Sequence, residues 1–400
     1  MTVIPPAEPS LITRAINSDR VAEARLAQRI GRMPFFRNAA GSSSSTVEIE
    51  GRRYLNFGSN NYQDLANDPH VIAAVHEAVD HWGAGTTGSR LLSGSTQLHV
   101  ELEREICEFY GKPAALVFPT GYSANLGFLA ALLRPGDQIA ADEDIHASCR
   151  DGIQLAHADL HKFAHNDPGE LERLLAAHPE IRMCAIEGVY SMRGDVAPVR
   201  QMAELCRDRG VMIFIDEAHG LGTLGPSGAG ATEEAAALDL ADAITITFSK
   251  SLGGCGGAVV GSAELIEALR YLARPFIFTA SNTPGSVAGA LAALRILRAH
   301  PGYVQDLVGR VAMFSTLLDQ QGVPHLATRS PIFILPAGSD FATVQAWKML
   351  WNRGISANAA TSPALPPSEA GIRMSLLRNH TDEQLAEAAR ICAAVFSEIL

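Results

Sequence analysis

The sequence predicts an α/β fold: a mostly parallel sheet covered by helices on both faces, followed by a smaller α+β region. Three observations predict it. Short runs rich in apolar and β-branched residues alternate with helical stretches from about residue 114 to residue 260. Several of those runs empty directly into glycine, aspartate or lysine loops, as strands of an open α/β sheet do where they face a ligand. After about Pro284 the alternation gives way to a long helical stretch and then a mixture. Four hundred residues, 47% hydrophobic and 19% charged, suffice for one large core and a smaller one. The pattern divides into an arm and hairpin over 1–60, a large domain over 61–285 and a small domain over 286–400.

In chain order, Ser18 to Ile30 alternates charged residues with Val21, Ala22, Ala24, Leu26 and Ile30, a helix that Gly31-Arg32-Met33-Pro34 would end. Thr46 to Leu55 alternates like a hairpin turning at Gly51. His70 to Trp82 carries Val71, Val75 and Val79 four residues apart, one face of an amphipathic helix. Strand and helix then alternate: Ala114 to Phe118 with Ser123 to Leu133, Asp137 to Ala141 with a helix after His146, and Ile181 to Glu187 with Val199 to Arg209. Val211 to Ile215, Ala243 to Thr247 and Gly257 to Val260 are further strands, and Ser286 to Ala299 is a long helix. Pro331 to Pro336 and Ile372 to Leu376 read as strands of the small domain, and a helix runs from Asp382 onward.

Composition excludes several classes. A formal net charge of -11 argues against a nucleic-acid footprint, while leaving room for a local basic pocket. Six scattered cysteines include no Cys-x-x-Cys pair and no Cys/His cluster at zinc spacing, so no metal site is expected and reduced thiols are. Met1 to Pro6 lacks the charged start and apolar stretch of a secretory signal, and no apolar run approaches membrane-spanning length. A cytoplasmic protein without an integral membrane segment is expected. Gly83-Ala84-Gly85-Thr86-Thr87-Gly88 matches the dinucleotide fingerprint formally, but a helix precedes it where a strand is needed, so nicotinamide binding is rejected.

The chemistry concentrates at strand ends. The alternating run Ala243 to Phe248 stops at Ser249-Lys250-Ser251-Leu252-Gly253-Gly254, which points the Lys250 ammonium into a site. One strand earlier, the apolar run Val211 to Ile215 empties into Asp216-Glu217-Ala218-His219-Gly220. A carboxylate at the mouth of a buried strand is costly unless a cation meets it. A lysine able to form a Schiff base, with an aspartate placed for a pyridinium nitrogen, is a protein's share of pyridoxal phosphate chemistry. Thr120-Gly121-Tyr122-Ser123 follows a strand and opens a helix, where free N–H groups suit a phosphate, and Thr247 and Ser249 can add to them. His146, placed after a strand, is a candidate to stack on the ring.

The set Asn60-Asn61-Tyr62, Gly85 to Arg90, His146-Ala147-Ser148, Glu187 to Met192, Asp216 to Gly220, Thr247 to Lys250 and Phe278-Thr279-Ala280-Ser281 resembles the α-oxoamine synthase family of fold type I pyridoxal-phosphate enzymes, over nearly the whole chain. Thr86 to Arg90, Gly121 to Gly127 and Arg274 to Ser281 resemble most the soluble bacterial serine palmitoyltransferases of that family. The resemblance implies a fold type I transferase with a seven-stranded sheet, a pyridoxal 5'-phosphate cofactor, and a homodimer in which Thr279 and Ser281 reach the partner's phosphate. It implies that Lys250 holds the cofactor, Asp216 its ring nitrogen and His219 its phenolic oxygen. His146 would stack on the ring, with Ser191 near the phenolic side. Arg373, with Asn60, would hold the carboxylate of a small amino acid. The reaction implied is a decarboxylative Claisen-type condensation of that amino acid, best read as L-serine, with an acyl thioester of coenzyme A or a carrier protein. It gives an α-aminoketone, carbon dioxide and free thiol, which makes the chain a C-acyltransferase.

Three segments depart from the family pattern. Gln63-Asp64-Leu65 stands for Leu-Gly-Leu, Asn282-Thr283-Pro284-Gly285 for Leu-Pro-Pro after Ser281, and Gly228-Ala229-Gly230 for Gly-Arg-Gly. They leave glycine or L-alanine open as the amino acid, in a natural-product or biotin-like pathway. A non-catalytic scaffold subunit and an aminotransferase of the same fold are the rival readings; the presence of Lys250 argues against the scaffold.

Overall fold

A computed structural model describes residues 10–31, 33–362 and 364–399. Met1 to Pro6, read above for a signal, and Arg32 of the helix-ending turn lie outside the described residues. Helices Leu11–Ile16 and Asp19–Arg29 open the described chain. The hairpin follows as β1 (Thr46–Ile49) and β2 (Arg52–Asn56), paired Thr46↔Leu55 to Ile49↔Arg52. Its turn places Glu50 and Gly51 at φ 53° and 73°, left-handed values that glycine adopts without strain.

Asp68 accepts from the His70 N–H and caps helix Pro69–Trp82, with Val71 buried. Helix Gln97–Tyr110 was not placed from the sequence, although Leu102, Ile106 and Phe109 recur at helical spacing among five Glu and Arg residues. Two of those carboxylates are nevertheless buried. Glu103 accepts from Arg90 at 3.0 Å and from the Val117 N–H at 3.0 Å, so tertiary partners offset a desolvation cost that sequence pattern cannot foresee.

The central sheet holds β3 (Ala114–Phe118), β4 (Gln138–Asp142), β5 (Asp159–Phe163), β6 (Ile181–Glu187), β7 (Met212–Asp216), β8 (Ala243–Thr247) and β9 (Gly257–Gly261). Their order is β3-β9-β8-β7-β6-β4-β5, and only β9 runs antiparallel to its neighbours. Six of the seven lie where the sequence placed strands. The exception is β5, Asp-Leu-His-Lys-Phe, whose polar residues suit a sheet edge. Successive residues pack to opposite faces: Leu116 and Phe214 enter the core on one side, Val117, Ile213 and Ile215 the core on the other.

Helix Pro284–Ala299 lies against helix Pro69–Trp82. A Cβ at Gly285 or Gly289 would stand 3.2 or 3.1 Å from the Val75 side chain, so glycine permits that close approach. Beyond it, β10 (Ile332–Pro336), β12 (Asn358–Ala360) and β13 (Gly371–Ser375) form an antiparallel sheet with β13 central. The short β11 (Ile355–Ser356) pairs in parallel with β2, tying the hairpin to this region. Helices Gly302–Gln320 and Asp340–Asn352 and the terminal helix Asp382–Ile399 complete it. Among the described residues no helix is long and apolar enough to cross a membrane.

Candidate active site

The carboxyl ends of β3, β7 and β8 surround a cavity of about 230 Å³ lined by Gly121, Tyr122, Asn125, His146, Ser148, Glu187, Asp216, His219, Thr247, Ser249 and Lys250, among others. Lys250 follows β8 by three residues and is half-buried in the cleft. Burial there disfavours its ammonium and brings the pKa down to about 8, although Asp216 and Glu187 pull the other way.

Asp216 is the last residue of β7, in register with Glu187 on β6 and Thr245 on β8. Its Oδ1 accepts from the Ala218 N–H at 2.9 Å, and its Oδ2 accepts from Asn125 Nδ2 at 2.6 Å. The same Asn125 amide donates to Ser148 Oγ at 2.9 Å, and Ser148 Oγ lies 2.7 Å from His146 Nδ1. The Ser148 N–H also donates to His146 Nδ1 at 3.2 Å. A backbone N–H only donates, so Nδ1 is bare and the His146 proton sits on Nε2. Asn125 thus joins the aspartate at one end of the cavity to the histidine on its rim. The sequence reading quoted Asn125 and Ser148 without giving them a part. The signal for Asn125 was an amide inside the helix Gly121–Leu132, whose residues after it are all apolar.

Two further acids were also missed. Glu187 is buried, its Oε1 has no partner among the described residues, and burial followed by the Asp216 charge pushes its carboxyl well above the usual range, with Lys250 acting the other way. Glu217 is buried between Gly188, Gly220 and Gly230, where any Cβ would strike its carboxylate. It accepts from the Ala231 and Thr232 N–H groups at 3.1 and 2.6 Å, fastening the loop that carries His219. Burial raises it to about 7.

The start of helix Gly121–Leu132 fits a phosphate. Thr120 caps it by accepting from the Ser123 N–H, the residues Gly121 and Tyr122 face the cavity, and the hydroxyls of Thr247 and Ser249 stand beside them. A Cβ at Gly121 would come within 2.8 Å of Thr247 Cβ, so glycine lets the helix start abut the end of β8. The Tyr122 hydroxyl turns outward to Asp151.

A second group adjoins the cavity through His219. Arg373, at the middle of β13 and buried, donates Nε to the Ser191 carbonyl at 2.7 Å. Both its terminal nitrogens reach Asn60 Oδ1 at 3.3 Å. Tyr62 Oη lies 3.2 Å from Asn60 Oδ1 and 2.7 Å from His219 Nδ1. Burial, then the Lys250 and Arg373 charges, hold His219 well below its ordinary value, so its imidazole is neutral. The structure therefore gathers Lys250, Asp216, His219, His146, Thr247, Gly121 and Tyr122 around one cavity and links Asn60, Ser191 and Arg373 to it. Thr279 and Ser281 are in neither group. Thr279 is exposed, while Ser281 Oγ bonds Thr86 Oγ1 at 2.7 Å and the Gly94 carbonyl at 2.6 Å within the same chain.

The chain matches the family model for aminotransferase class I and II over residues 52–391. It is 40% identical to a serine palmitoyltransferase of Caulobacter vibrioides over 362 residues, 90% of each chain. It is 35% identical to an 8-amino-7-oxononanoate synthase of Cellvibrio japonicus over 384 residues, covering 95% of this chain and 96% of that one. A solved structure of SPT with a PLP internal aldimine superposes with a TM-score of 0.93 at 33% identity, over 98% of this chain and 99% of that one.

Proposed function

This chain belongs to the aminotransferase class I and II family, and from that premise we propose that it is a pyridoxal-phosphate-dependent α-oxoamine synthase, condensing a small amino acid with an acyl thioester and releasing carbon dioxide and thiol. L-serine is the amino acid we favour, given the serine palmitoyltransferases among its relatives. The observation that carries the reading is the meeting of Lys250 and Asp216 in one cavity at the ends of adjacent strands.

Pyridoxal phosphate, when bound, supplies an electron sink for the pair left when a bond at the substrate α-carbon breaks. The start of helix Gly121–Leu132, with Thr247 and Ser249, would hold its phosphate, and Asp216 would pair with its ring nitrogen. Asn125 fixes the Asp216 carboxylate by donating to Oδ2. His146 would cover one face of the ring and His219 would approach the phenolic oxygen. Lys250 Nζ would hold the cofactor covalently and, once displaced by the amino acid, take the α-proton. A pKa of about 8 leaves an appreciable share of that amine uncharged near neutral pH. Arg373 and Asn60 would orient the substrate carboxylate, with Ser191 fixing the guanidinium through its carbonyl. That orientation decides which bond at the α-carbon stands perpendicular to the ring.

The same reading takes the chain as a homodimer working in the cytoplasm, divided into arm 1–60, large domain 61–285 and small domain 286–400, with Thr279 and Ser281 facing the partner's phosphate. The test is Lys250→Ala. Borohydride reduction of cofactor-loaded wild type should mark the peptide holding Lys250, and the variant should lose both that mark and thiol release from acyl-CoA with L-serine. An unmarked Lys250 in loaded wild type would overturn the enzyme reading.

A further inference from the structure

We propose that Asn125 is a positioning residue that keeps a proton on the ring nitrogen of pyridoxal phosphate by holding Asp216 as the counter-anion. The inference deepens, and rests on, the reading above that Asp216 pairs with that nitrogen.

Asn125 sits inside helix Gly121–Leu132 and is only 3% exposed. Its Nδ2 donates to Asp216 Oδ2 at 2.6 Å and to Ser148 Oγ at 2.9 Å, while its buried Oδ1 has no partner among the described residues. The opposite orientation of the amide would set Oδ1 against a carboxylate oxygen, acceptor against acceptor. Ser148 gives the same answer independently. Its N–H points at the bare Nδ1 of His146, and its hydroxyl, 2.7 Å from that nitrogen, gives its one proton there, so Oγ can only accept from Asn125. Both hydrogens of one amide nitrogen are thereby committed and the oxygen is left over.

A buried carbonyl without a partner is a cost that leucine, with the same branching at Cγ and no polar atom, would avoid. Packing alone therefore gives no reason for an amide at this position; its two hydrogens do. One of them reaches the residue that meets the cofactor ring.

A proton shared by a carboxylate and a pyridine nitrogen has two places. On the nitrogen it leaves a charged ring and an anion; on the carboxyl oxygen it leaves both groups neutral. Hydrogen bonds to the carboxylate favour the first arrangement. Asp216 receives two, from the Ala218 N–H on Oδ1 at 2.9 Å and from Asn125 on Oδ2, and each oxygen keeps a second lone pair for the ring N–H. Without the amide, the proton passes from the ring nitrogen to an Asp216 oxygen, with no change in net charge. A charged ring is the stronger electron sink, so Asn125 acts on the chemistry through Asp216. Glu187, Lys250 and His146 also act on Asp216 by their charges, and all three are common to wild type and the variants below.

The test is nitrogen NMR of holoenzyme reconstituted with pyridoxal phosphate carrying 15N in its ring. Wild type should give the signal of a protonated pyridine. Asn125→Leu, with Asn125→Met as a second packing should the first not fold, should move that signal toward the unprotonated value, loading being read from visible absorbance and folding from the thermal midpoint. Ser148→Ala cuts the tie to His146 and keeps the bond to Asp216, so its signal should stay where wild type has it. A second measurement uses the 1-deaza analogue, whose ring carries C–H in place of the nitrogen. Wild-type apoenzyme should prefer pyridoxal phosphate to this analogue, and the Asn125 variants should lose about tenfold or more of that preference, whereas a merely loosened cavity would weaken both ligands alike. An unprotonated ring or no preference in wild type, an unmoved signal in the Asn125 variants, or an equal shift in Ser148→Ala overturns the proposal. Absence of any visible absorbance in wild type supplied with the cofactor would strike the cofactor reading itself, and the proposal with it.

Discussion

Lys250 and Arg373 are both cations kept from water, and each yields a measurable consequence. For Lys250 the fold shifts the balance toward the neutral amine, because burial brings its pKa down to about 8. Only the neutral amine attacks an aldehyde. The rate at which apoenzyme captures pyridoxal phosphate covalently should therefore rise with pH through about 8 and level off above it, read from the visible absorbance. A rate flat between pH 7 and 9 would show that the amine is not the titrating group. Arg373→Ala removes charge-assisted bonds of about 1.5–3 kcal/mol, which amounts to a rise of roughly 10- to 100-fold in the KM for amino acid. The cofactor should still bind, since Asn125, Asp216 and Lys250 lie on other elements. An unaltered KM would remove Arg373 from substrate binding.

At the scale of elements, the loops after β4 and β6 are joined by one histidine that the sequence reading passed over. His165 lies just beyond β5, bonding Asp142 Oδ1 at 2.9 Å through Nδ1 and Asp195 Oδ2 at 2.6 Å through Nε2. Burial alone would lower its pKa, but the two carboxylates outweigh that and raise it to about 10. The folded pKa exceeds the unfolded one, so the stabilisation is complete below the unfolded value near 6.5 and is lost as pH rises through about 10. His165→Asn leaves the fully buried Asp142 without its cation and should cost about 3 kcal/mol at pH 6. Thermal unfolding at pH 6 and at pH 10.5 checks this: the gap between wild type and variant should close at the higher pH, and a gap independent of pH would exclude an imidazolium clamp.

For the whole molecule, the homodimer proposal has a surface to act on. A bridge between Ser89 and Ala280 brings together two segments that expose Leu91, Leu92 and Phe278, with Leu92 82% and Phe278 72% accessible. Large apolar side chains so exposed and so placed suit a partner face. Light scattering on the purified protein should give twice 42.6 kDa, and Leu92→Asp should shift it toward the single-chain mass. Thiol release should fall with it if Thr279 and Ser281 serve the other subunit's site. A wild type of 42.6 kDa would end the shared-site reading.

The sequence by itself determined the strand and helix alternation of the central sheet, because short apolar runs separated by helical stretches and glycine or charged turns are local properties of the chain. It also determined Lys250 and Asp216, each announced by a buried strand that ends on a charge. It did not determine the charged helix Gln97–Tyr110 or the polar edge strand β5, whose stability comes from partners distant in the chain. Only the tertiary structure decided that Asn125 ties Asp216 to His146, that burial and Asp216 push the Glu187 carboxyl upward, and that Tyr62 stands between Asn60 and His219. A lone pair has no periodicity along a sequence: which donor it accepts, and whether a buried group keeps its proton, depend on atoms that folding brings within about 3 Å.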